Sequence, residues 1–351
     1  MSTLKIAGYS EMSPSDSIGA DFVDRICVII PMYRVEDHIQ QVIEGLPDWI
    51  WRIIVVDDAS PDSSTQRVIE LNNDRVICVS HDRNQGVGGA MISGYNAALE
   101  IGGTVLIKVD GDNQMPLEYI PYLVQPILDA KADYVKGNRF VQTHELSSMP
   151  FVRRVGNLGL SFLTKLASGY WNVFDPTNGF TALDADVYRR LDPAKIHRRY
   201  YFETSMLVEL SLARAVVSEV FMPAKYDDET SSLSVSRAAR EFPILLFRSF
   251  LHRVWLQYFV VDFSIASLFV TIGMLLMIAG SIWGAFAWGR SIHTGVPATT
   301  GTVMLAVLPF FLGFQLVLQA IVLDIQNVPR HVLSRFARYR LRNSSDRLVT
   351  T

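Results

Sequence analysis

Residues 104–116 read TVLIKVDGDNQMP, an apolar run that ends in two aspartates one residue apart, Asp110 and Asp112. The run predicts a buried β-strand, and the turn residues after it predict that the strand stops at the acidic pair. Open α/β sheets bind ligands at the carboxyl edge, where both acids would lie. Two oxygen ligands on a short turn suit Mg²⁺ or Mn²⁺, which complete their shell with phosphates and water. The stretch therefore predicts a metal-bound diphosphate, although Asp-Gly-Asp also occurs in ordinary turns.

The surrounding residues alternate between strand and helix patterns. Strand patterns occupy 25–31, 51–57, 76–80, 104–110, 132–136 and 216–223, and helical patterns occupy 35–44, 64–71, 86–101, 116–130, 152–168 and 202–215. This alternation predicts an α/β domain with a mostly parallel sheet covered on both faces. Cys27 and Cys78 fall inside strand patterns, so we expect both to be reduced core residues. Residues 1–24 are polar, lack the apolar segment of a signal peptide, and are expected to form a flexible leader.

Residues 259–323 are very apolar. Phe263–Trp288 carries no charge, and Ser291–Leu323 carries none except neutral His293. A run of about 20 apolar residues spans a bilayer, so this region predicts two transmembrane helices joined as a hairpin. Buried helices of a soluble core rarely run this long without a polar face.

Arginines mark one side of the hairpin. Residues 289–297, between the spans, hold one arginine, whereas the tail of residues 324–351 holds six. Positive residues stay in the cytoplasm, which predicts that the N-terminal domain and both chain ends are cytoplasmic. The expected location is the cytoplasmic (inner) membrane of the cell.

Residues 236–258 interleave apolar and basic side chains, a pattern typical of a helix at a membrane interface. In this juxtamembrane segment, Phe242, Leu246 and Phe250 are expected to enter the acyl region, with Arg248 and Arg253 at the headgroups. The alternative is that the segment packs on the soluble domain.

Two further segments place polar groups at predicted strand ends. Residues 56–60, VDDAS, end the second strand in another acidic pair. Their carboxylates could accept hydrogen bonds from a nucleobase or ribose, or cap a helix. Residues 84–90, NQGVGGA, open a helix whose glycines and N-terminus favour close approach of an anion. The glycine spacing is not that of a dinucleotide-binding fingerprint.

Five motifs, in this order, resemble the glycosyltransferase family 2 enzymes of GT-A fold. They are IIPMY at 29–33, VDDAS at 56–60, NQGVG at 84–88, DGDNQ at 110–114 and GNRF at 137–140. The narrower resemblance is to polyprenyl-phosphate glycosyltransferases, which include bacterial undecaprenyl-phosphate glycosyltransferases and dolichyl-phosphate mannose synthases. DPTNGF at 175–180 is similar to the acceptor-side loop of that group. The resemblance implies a GT-A catalytic domain over residues 25–235.

The resemblance implies a donor side. The residues expected to line the nucleotide pocket are Pro31, Tyr33, Asp57, Asp58 and Gly86. Asp110, Asp112 and Gln114 are expected to hold the donor diphosphate, with Asp110 and Asp112 as ligands of the Mg²⁺ or Mn²⁺ cofactor.

The resemblance also implies an acceptor side. The residues expected at the acceptor phosphate are Arg139, Arg153, Arg154, Asn157 and Lys225. Asp175 is expected to orient acceptor or sugar, which makes Asp112, Arg139 and Asp175 the catalytic set. A basic helix start and a turn-initiating Asp-Pro are the structural alternatives for residues 153–154 and 175–176. The segment around Lys225 departs from the Arg-x-x-Gly-x-Ser-Lys pattern of mannose synthases, which favours a UDP-sugar over GDP-mannose as donor.

The implied reaction is inverting transfer of a sugar to polyprenyl (undecaprenyl) phosphate at the cytoplasmic membrane face, for cell-envelope glycans. A phosphate monoester with a second pKa near 6 is already anionic at pH 7, so it needs no general base. The expected partners are the nucleotide sugar, the polyprenyl phosphate, the membrane and a second copy in a homo-oligomer. The net charge of −3 gives no indication of a nucleic-acid partner.

Two alternatives remain open at this stage. A processive polysaccharide synthase of the same fold would need a general base, for which Glu203 is the candidate, but the Gln-x-x-Arg-Trp segment typical of such enzymes is missing. A non-catalytic membrane scaffold or lipid transporter is the other alternative. The intact set of Asp110, Asp112 and Arg139 argues against it.

Overall fold

The computed structural model describes residues 25–139, 151–223 and 235–334, and in them a seven-stranded sheet. The strands are β1 Ile26–Met32, β2 Arg52–Asp57, β3 Val76–Ser80, β4 Val105–Lys108, β5 Tyr134–Asn138, β6 Thr181–Asp184 and β7 Val217–Phe221. Their spatial order is β3-β2-β1-β4-β6-β5-β7. All pairs are parallel except those that β6 makes with β4 and β5. The predicted mostly parallel α/β sheet is confirmed.

Helices cover both faces of the sheet and continue beyond it. They are α1 Ile39–Glu44, α2 Ser64–Glu70, α3 Val87–Glu100, α4 Ile120–Leu128, α5 Phe151–Ser168, α6 Ala185–Tyr188, α7 Phe202–Leu212, α8 Val235–Trp255, α9 Ile265–Thr294 and α10 Thr300–Gln326. Side chains of β1 alternate between two buried clusters, one with α1 and α4 and one with α3 and α7. The sheet is therefore a buried middle layer, which explains its continuous apolar strands.

Strand β6 is the strand that sequence patterns do not reveal. It is four residues long and fully buried, so it shows no alternation of polar and apolar side chains. Because β6 runs antiparallel to β4, its first residue, Thr181, lies beside Lys108 at the carboxyl end of β4. The chain just before β6 is thereby brought to the edge where β1, β2 and β4 end.

The two cysteines differ in their surroundings. Cys27 is buried in β1, and burial raises the pKa of its thiol to about 12. The expectation that Cys78 also lies in the core is wrong, because β3 is an edge strand and the Cys78 side chain is exposed. An edge strand covered less completely than a central one leaves such positions open to solvent.

Among the described residues, three helices are long and apolar enough to cross a membrane, judged by length and composition. Two of them, α9 and α10, are the predicted hairpin, and small residues let their backbones approach closely. A Cβ added to Gly313 would lie 2.4 Å from the Gly273 carbonyl oxygen. The third, Glu241–Val261, includes most of α8 and so falls in the segment predicted to lie at the interface.

The packing of α8 reverses the expected roles of its side chains. Leu246 is buried, and Phe242 and Phe250 pack beside it against Ala167 and Tyr201 of the catalytic domain. The prediction that these three enter the acyl region is therefore wrong, because the protein itself covers them. The exposed apolar side chains of this helix are instead Ile244, Phe247, Leu251 and Trp255. Of the two arginines expected at the lipid headgroups, Arg253 is 1% exposed, whereas Arg248 is exposed.

Candidate active site

The two acids of the DGDNQ motif follow β4 at the carboxyl edge of the sheet. Asp110 is partly exposed, and Asp112 accepts a hydrogen bond from the Gln114 amide at 3.1 Å. Asn113 has φ +60°, a left-handed turn that asparagine tolerates and that reverses the chain between the acids and Gln114. Over the described ranges, no group of three or more His, Cys, Asp or Glu residues could hold a metal. Two carboxylates fit a Mg²⁺ or Mn²⁺ ion that takes its other ligands from a substrate diphosphate and water.

A buried lysine, Lys108, forms an ion pair with the first of these two acids. The Lys108 ammonium is 2% exposed and lies 2.7 Å from Asp110 Oδ1 and 3.4 Å from Glu203 Oε1. Burial opposes its charge, but the two carboxylates raise the pKa of Lys108 above its ordinary value. A Cβ at Gly179 would lie 2.3 Å from the Lys108 nitrogen, so any side chain there would displace the ammonium from its place beside Asp110. Sequence reasoning missed Lys108, although a lysine inside an apolar strand was the available signal.

A second buried lysine lies in the same cross-strand row. Thr181 pairs with Lys108 on one side and Lys136 on the other, and Lys136 pairs with Glu219 of β7. The Lys136 ammonium donates to the Asn178 carbonyl at 2.7 Å. Burial lowers the pKa of Lys136 to about 8, more than nearby carboxylates raise it.

The acceptor-side candidates Arg139 and Asp175 form a two-pronged ion pair. Arg139 Nε lies 2.8 Å from Asp175 Oδ2, and Arg139 Nη2 lies 3.2 Å from Oδ1. Asp175 is fully buried, whereas the Arg139 side chain is 36% exposed. Glu219 holds the loop that carries Asp175, because one of its carboxylate oxygens accepts hydrogen bonds from the backbone amides of Phe174 and Asp175 at 2.8 Å each. Burial raises the pKa of the Glu219 carboxyl.

The antiparallel direction of strand β6 explains why Arg139 and Asp175 lie close together. Arg139 directly follows β5, whose Lys136 lies beside Thr181, and Asp175 precedes β6 by six residues. Both residues therefore lie at the edge that carries Asp110 and Asp112. The structure thus brings the three predicted catalytic residues, Asp112, Arg139 and Asp175, to one edge of the sheet.

Asp58 organises the donor-side loops. It is buried, and its two oxygens accept from the amides of Gln85 and Gly86 at 2.7 Å each. His81 Nδ1 also contacts Asp58 Oδ1 at 2.7 Å, and its other ring nitrogen contacts Ser93 at 2.8 Å. The anion held at the start of α3 is thus the Asp58 carboxylate. His81 carried no sequence signal beyond its place after a strand.

The glycines of the NQGVG motif allow the backbone of residues 197–199 to pack closely against this loop. Gly86 has φ +85°, and a Cβ at Gly88 would lie 2.2 Å from the His197 carbonyl oxygen. The Gly89 amide donates to the Arg198 carbonyl at 3.0 Å. The close backbone approach predicted for this loop is therefore occupied by residues 197–199.

Hydrogen bonds connect the carboxyl ends of β1 and β2 and the residues that follow them. Asp57 accepts from the Ser60 amide at 2.8 Å and from the Thr65 hydroxyl at 2.7 Å. The Arg34 amide donates to the Ser60 hydroxyl at 2.7 Å. Tyr33 is 41% exposed, and the Arg34 guanidinium lies 5.3 Å from the centre of its ring.

The structure describes the side chains of only two of the remaining candidate site residues. Pro31 lies in β1 and is half-buried, and Gln114 is half-buried after the acidic turn. Lys225 and the side chains of Arg153, Arg154 and Asn157 lie outside the described residues. For these four, the expected contact with an acceptor phosphate stays a prediction.

This fold, with acids after the fourth strand and a paired arginine after the fifth, defines a glycosyltransferase of GT-A type. The family model described as "Glycosyl transferase family 2" matches residues 27–192. A UDP-N-acetylglucosamine–dolichyl-phosphate N-acetylglucosaminyltransferase of Methanococcus voltae is 33% identical over 218 residues, which cover 58% of this chain and 86% of that protein. An undecaprenyl-phosphate mannosyltransferase of Micrococcus luteus is 30% identical over 187 residues, covering 52% of this chain and 76% of that protein.

A solved structure shares the fold. Glucosyl-3-phosphoglycerate synthase from Mycobacterium tuberculosis, in complex with Mn²⁺, UDP and phosphoglyceric acid, has a TM-score of 0.50 and 20% identity, covering 66% of this chain and 78% of that chain. The chain belongs to glycosyltransferase family 2, and its named relatives include sugar transferases of polyprenyl phosphates. It is a transferase enzyme, and the resemblance predicted from its motifs is confirmed.

Proposed function

We propose that the protein transfers a sugar from a UDP-sugar to a polyprenyl phosphate, such as undecaprenyl phosphate, at the cytoplasmic face of the membrane. The observation that carries the proposal is the shared sheet edge, where an acidic pair and an exposed, oriented arginine lie on neighbouring segments. A UDP-sugar donor is favoured because the name of the Methanococcus voltae relative specifies one. The glycan pathway served would be cell-envelope assembly or modification.

On the donor side, Asp110 and Asp112 would hold a Mg²⁺ or Mn²⁺ ion, with Gln114 beside the diphosphate. Asp57, Tyr33 and Pro31, from the ends of β1 and β2, would line the nucleotide pocket. Asp58 and Gly86 would form the wall of that pocket, since the hydrogen bond between them fixes the loop next to it. When bound, the metal ion would neutralise charge on the departing nucleoside diphosphate.

On the acceptor side, Arg139 would receive the lipid phosphate. Its guanidinium is partly exposed, and Asp175 holds it by two contacts, so its direction is fixed before the substrate arrives. An arginine offers a planar fork of donors that matches phosphate oxygens. Arg153, Arg154, Asn157 and Lys225 would supply further contacts.

The chemistry needs no general base from the protein. An oxygen of the lipid phosphate, already ionised at neutral pH, attacks the sugar C1. The bond from C1 to the nucleoside diphosphate breaks, and the displacement inverts the anomeric centre. Two anions must come together for this step, and Arg139 would reduce the repulsion between them.

The polysaccharide-synthase alternative is weakened by the surroundings of Glu203. Its carboxylate lies 3.4 Å from the buried Lys108 ammonium and is only 17% exposed. A carboxylate that holds a buried cation in place is poorly available to take a proton from a sugar hydroxyl.

Orientation in the membrane can be tested with one native residue as a control. We propose a cytoplasmic catalytic domain, with the connection at residues 295–299 outside the cell. Cysteine introduced at the half-buried Ser291, in the last turn of α9, is expected to react with an impermeant maleimide in intact cells. The native exposed Cys78 is expected to react only after permeabilisation. The opposite labelling contradicts the proposed orientation.

The reaction itself is tested with membranes that contain the protein. They are incubated with Mg²⁺, undecaprenyl phosphate and a panel of radiolabelled UDP- and GDP-sugars, and the lipid fraction is counted. Label is expected in the lipid fraction with at least one UDP-sugar, and it is expected to disappear with EDTA and return with Mn²⁺. Label in a polymer insoluble in organic solvent would instead support the synthase alternative. The expected homo-oligomer stays a prediction, which sedimentation of the purified protein in detergent can check.

A further inference from the structure

Asp324 is a buried carboxylate in the last turn of α10, one of the candidate membrane helices. Its oxygens accept from both Nη atoms of Arg253 at 2.8 and 3.0 Å, from the Tyr258 hydroxyl at 2.5 Å and from Trp171 Nε1 at 3.0 Å. An ionisable side chain in a membrane helix is costly, and it is retained where its partners give it a function. Each partner of Asp324 lies outside α10.

Arg253 joins the helices around this carboxylate. Besides Asp324, its guanidinium donates to Gln257 at 3.1 Å and to the carbonyls of Leu166 and Ala167 at 2.9 and 3.1 Å. These contacts use all five N–H groups that an arginine has. The two carbonyls lie in the last turn of α5, where backbone acceptors are otherwise left without partners. The pair therefore locks α8, α10 and the end of α5 together.

Trp171 extends the connection into the loop between α5 and β6. Its indole nitrogen binds Asp324, and four residues further along the same loop lies Asp175, which holds Arg139. The segment between them has little freedom, because the Asn172 side chain donates to the Val217 carbonyl at 3.0 Å. Glu219 then holds the amide of Asp175 itself.

We propose that Asp324 is a positioning residue that, through Trp171, sets the position of Arg139 relative to the bilayer. The inference rests on the proposed function, because it assumes that Arg139 receives the phosphate of a membrane lipid. Exposing an isoprenoid chain to water is unfavourable, so that phosphate stays at the membrane surface. The arginine that receives it must be held at a matching depth in the interface. A contact from a membrane helix to the loop that holds Asp175, the partner of Arg139, provides this.

Two matched variants separate positioning from general stability. Trp171→Phe removes one neutral hydrogen bond to Asp324 from the loop that holds Asp175 and keeps an aromatic ring. Tyr258→Phe removes one neutral hydrogen bond to the same carboxylate from a residue outside that loop. Asp324 and Arg253 stay intact in both, so neither variant leaves a buried charge unpaired.

Each full-length variant is assayed in phosphatidylethanolamine and phosphatidylglycerol vesicles that contain undecaprenyl phosphate, with the nucleotide sugar that labels lipid in wild type. Trp171→Phe is expected to raise KM for undecaprenyl phosphate about five-fold, in the range given by the net contribution of one hydrogen bond. Its KM for the nucleotide sugar, and for a short water-soluble prenyl phosphate, should stay within about two-fold of wild type. Tyr258→Phe should leave all three KM values within that margin.

Hydrogen exchange gives a readout that does not depend on activity. The amides of Phe174 and Asp175 are expected to exchange faster in Trp171→Phe and at the wild-type rate in Tyr258→Phe. Equal effects of the two variants on KM and exchange, or no effect of either, would overturn the positioning role. If wild type itself places no sugar on undecaprenyl phosphate, the proposed function fails instead, and the exchange result still reports whether Trp171 holds the loop.

Discussion

Lys108 and Asp110 form an ion pair at the floor of the candidate active site, with 2.7 Å between the ammonium nitrogen and Asp110 Oδ1. The carboxylate proposed as a metal ligand is thus already neutralised by a buried cation. Glu203 lies on the other side of the ammonium, at 3.4 Å, and offers it a second partner. A metal ion at Asp110 would therefore compete with the Lys108 ammonium for this carboxylate. Glu203 would stabilise the ammonium when Asp110 binds the metal ion.

Lys108→Met is expected to tighten Mn²⁺ binding, because a positive charge beside Asp110 repels the metal ion. Electron paramagnetic resonance of free Mn²⁺, measured in the presence of UDP, gives the affinity. The matched control is Lys136→Met, which removes the other buried ammonium, one that donates to the Asn178 carbonyl. Weaker Mn²⁺ binding in Lys108→Met than in the control would contradict the assignment of Asp110 as a ligand.

Asp112→Asn is expected to abolish sugar transfer without lowering the thermal midpoint, because it removes a metal ligand and disturbs no buried charge. Asp110→Asn should also abolish transfer, but it should lower the thermal midpoint because Lys108 loses its nearest partner. Residual kcat above about a tenth of wild type, a barrier change under ~1.4 kcal/mol, would rule out the metal assignment for that residue.

Arg139→Ala is expected to impair use of the lipid phosphate far more than binding of the nucleotide sugar. Calorimetry should give a nucleotide affinity within a few-fold of wild type, while KM for the lipid acceptor rises. Arg139→Lys is the control, because it keeps the charge but loses the planar fork that grips Asp175. If donor and acceptor suffer equally in Arg139→Ala, the arginine belongs to the donor side.

The buried Lys136 predicts a pH dependence of stability. Burial lowers its pKa from 10.5 to about 8, so between these values the unfolded chain binds more protons than the folded one. The contribution of this group to stability is therefore unfavourable below pH 8 and is relieved as pH rises to 10.5, by at most ~1.4 kcal/mol per pH unit. The thermal midpoint of wild type relative to Lys136→Met should rise over this window. A difference that stays flat from pH 8 to 10 would contradict the lowered pKa.

The two faces of α8 are expected to respond differently to serine substitution. The set that faces the catalytic domain is the buried Leu246 with the half-buried Phe242 and Phe250, and the exposed set is Phe247, Leu251 and Trp255. Changing the set that faces the catalytic domain should lower the thermal midpoint, since a side chain of this kind contributes about 1.5–3 kcal/mol when fully buried, as Leu246 is, and less when half-buried. Changing the exposed set should leave the midpoint unchanged and raise KM for a long-chain acceptor in vesicles, but not for a short soluble one. The same loss of stability from both sets would show that neither face meets lipid.

The sequence alone determined the parts of this protein that depend on local periodicity. The alternation of strands and helices, the acids after β4 and the two long apolar helices are all visible within windows of a few residues, because burial imposes its pattern on neighbouring side chains. The order of the five motifs was enough to indicate the family.

The tertiary structure decided which distant residues meet. The reversal of β6 brings Asp175 to Arg139, and no local pattern marks that strand because it is short and buried on both faces. The pairing of Lys108 with Glu203 and of Arg253 with Asp324 was hidden as well, because each carboxylate comes from an element distant in the sequence. An amphipathic helix shows that it has an apolar face, but not whether protein or lipid covers it. Only the packing of α8 against the catalytic domain answered that question, because water is excluded equally by either neighbour.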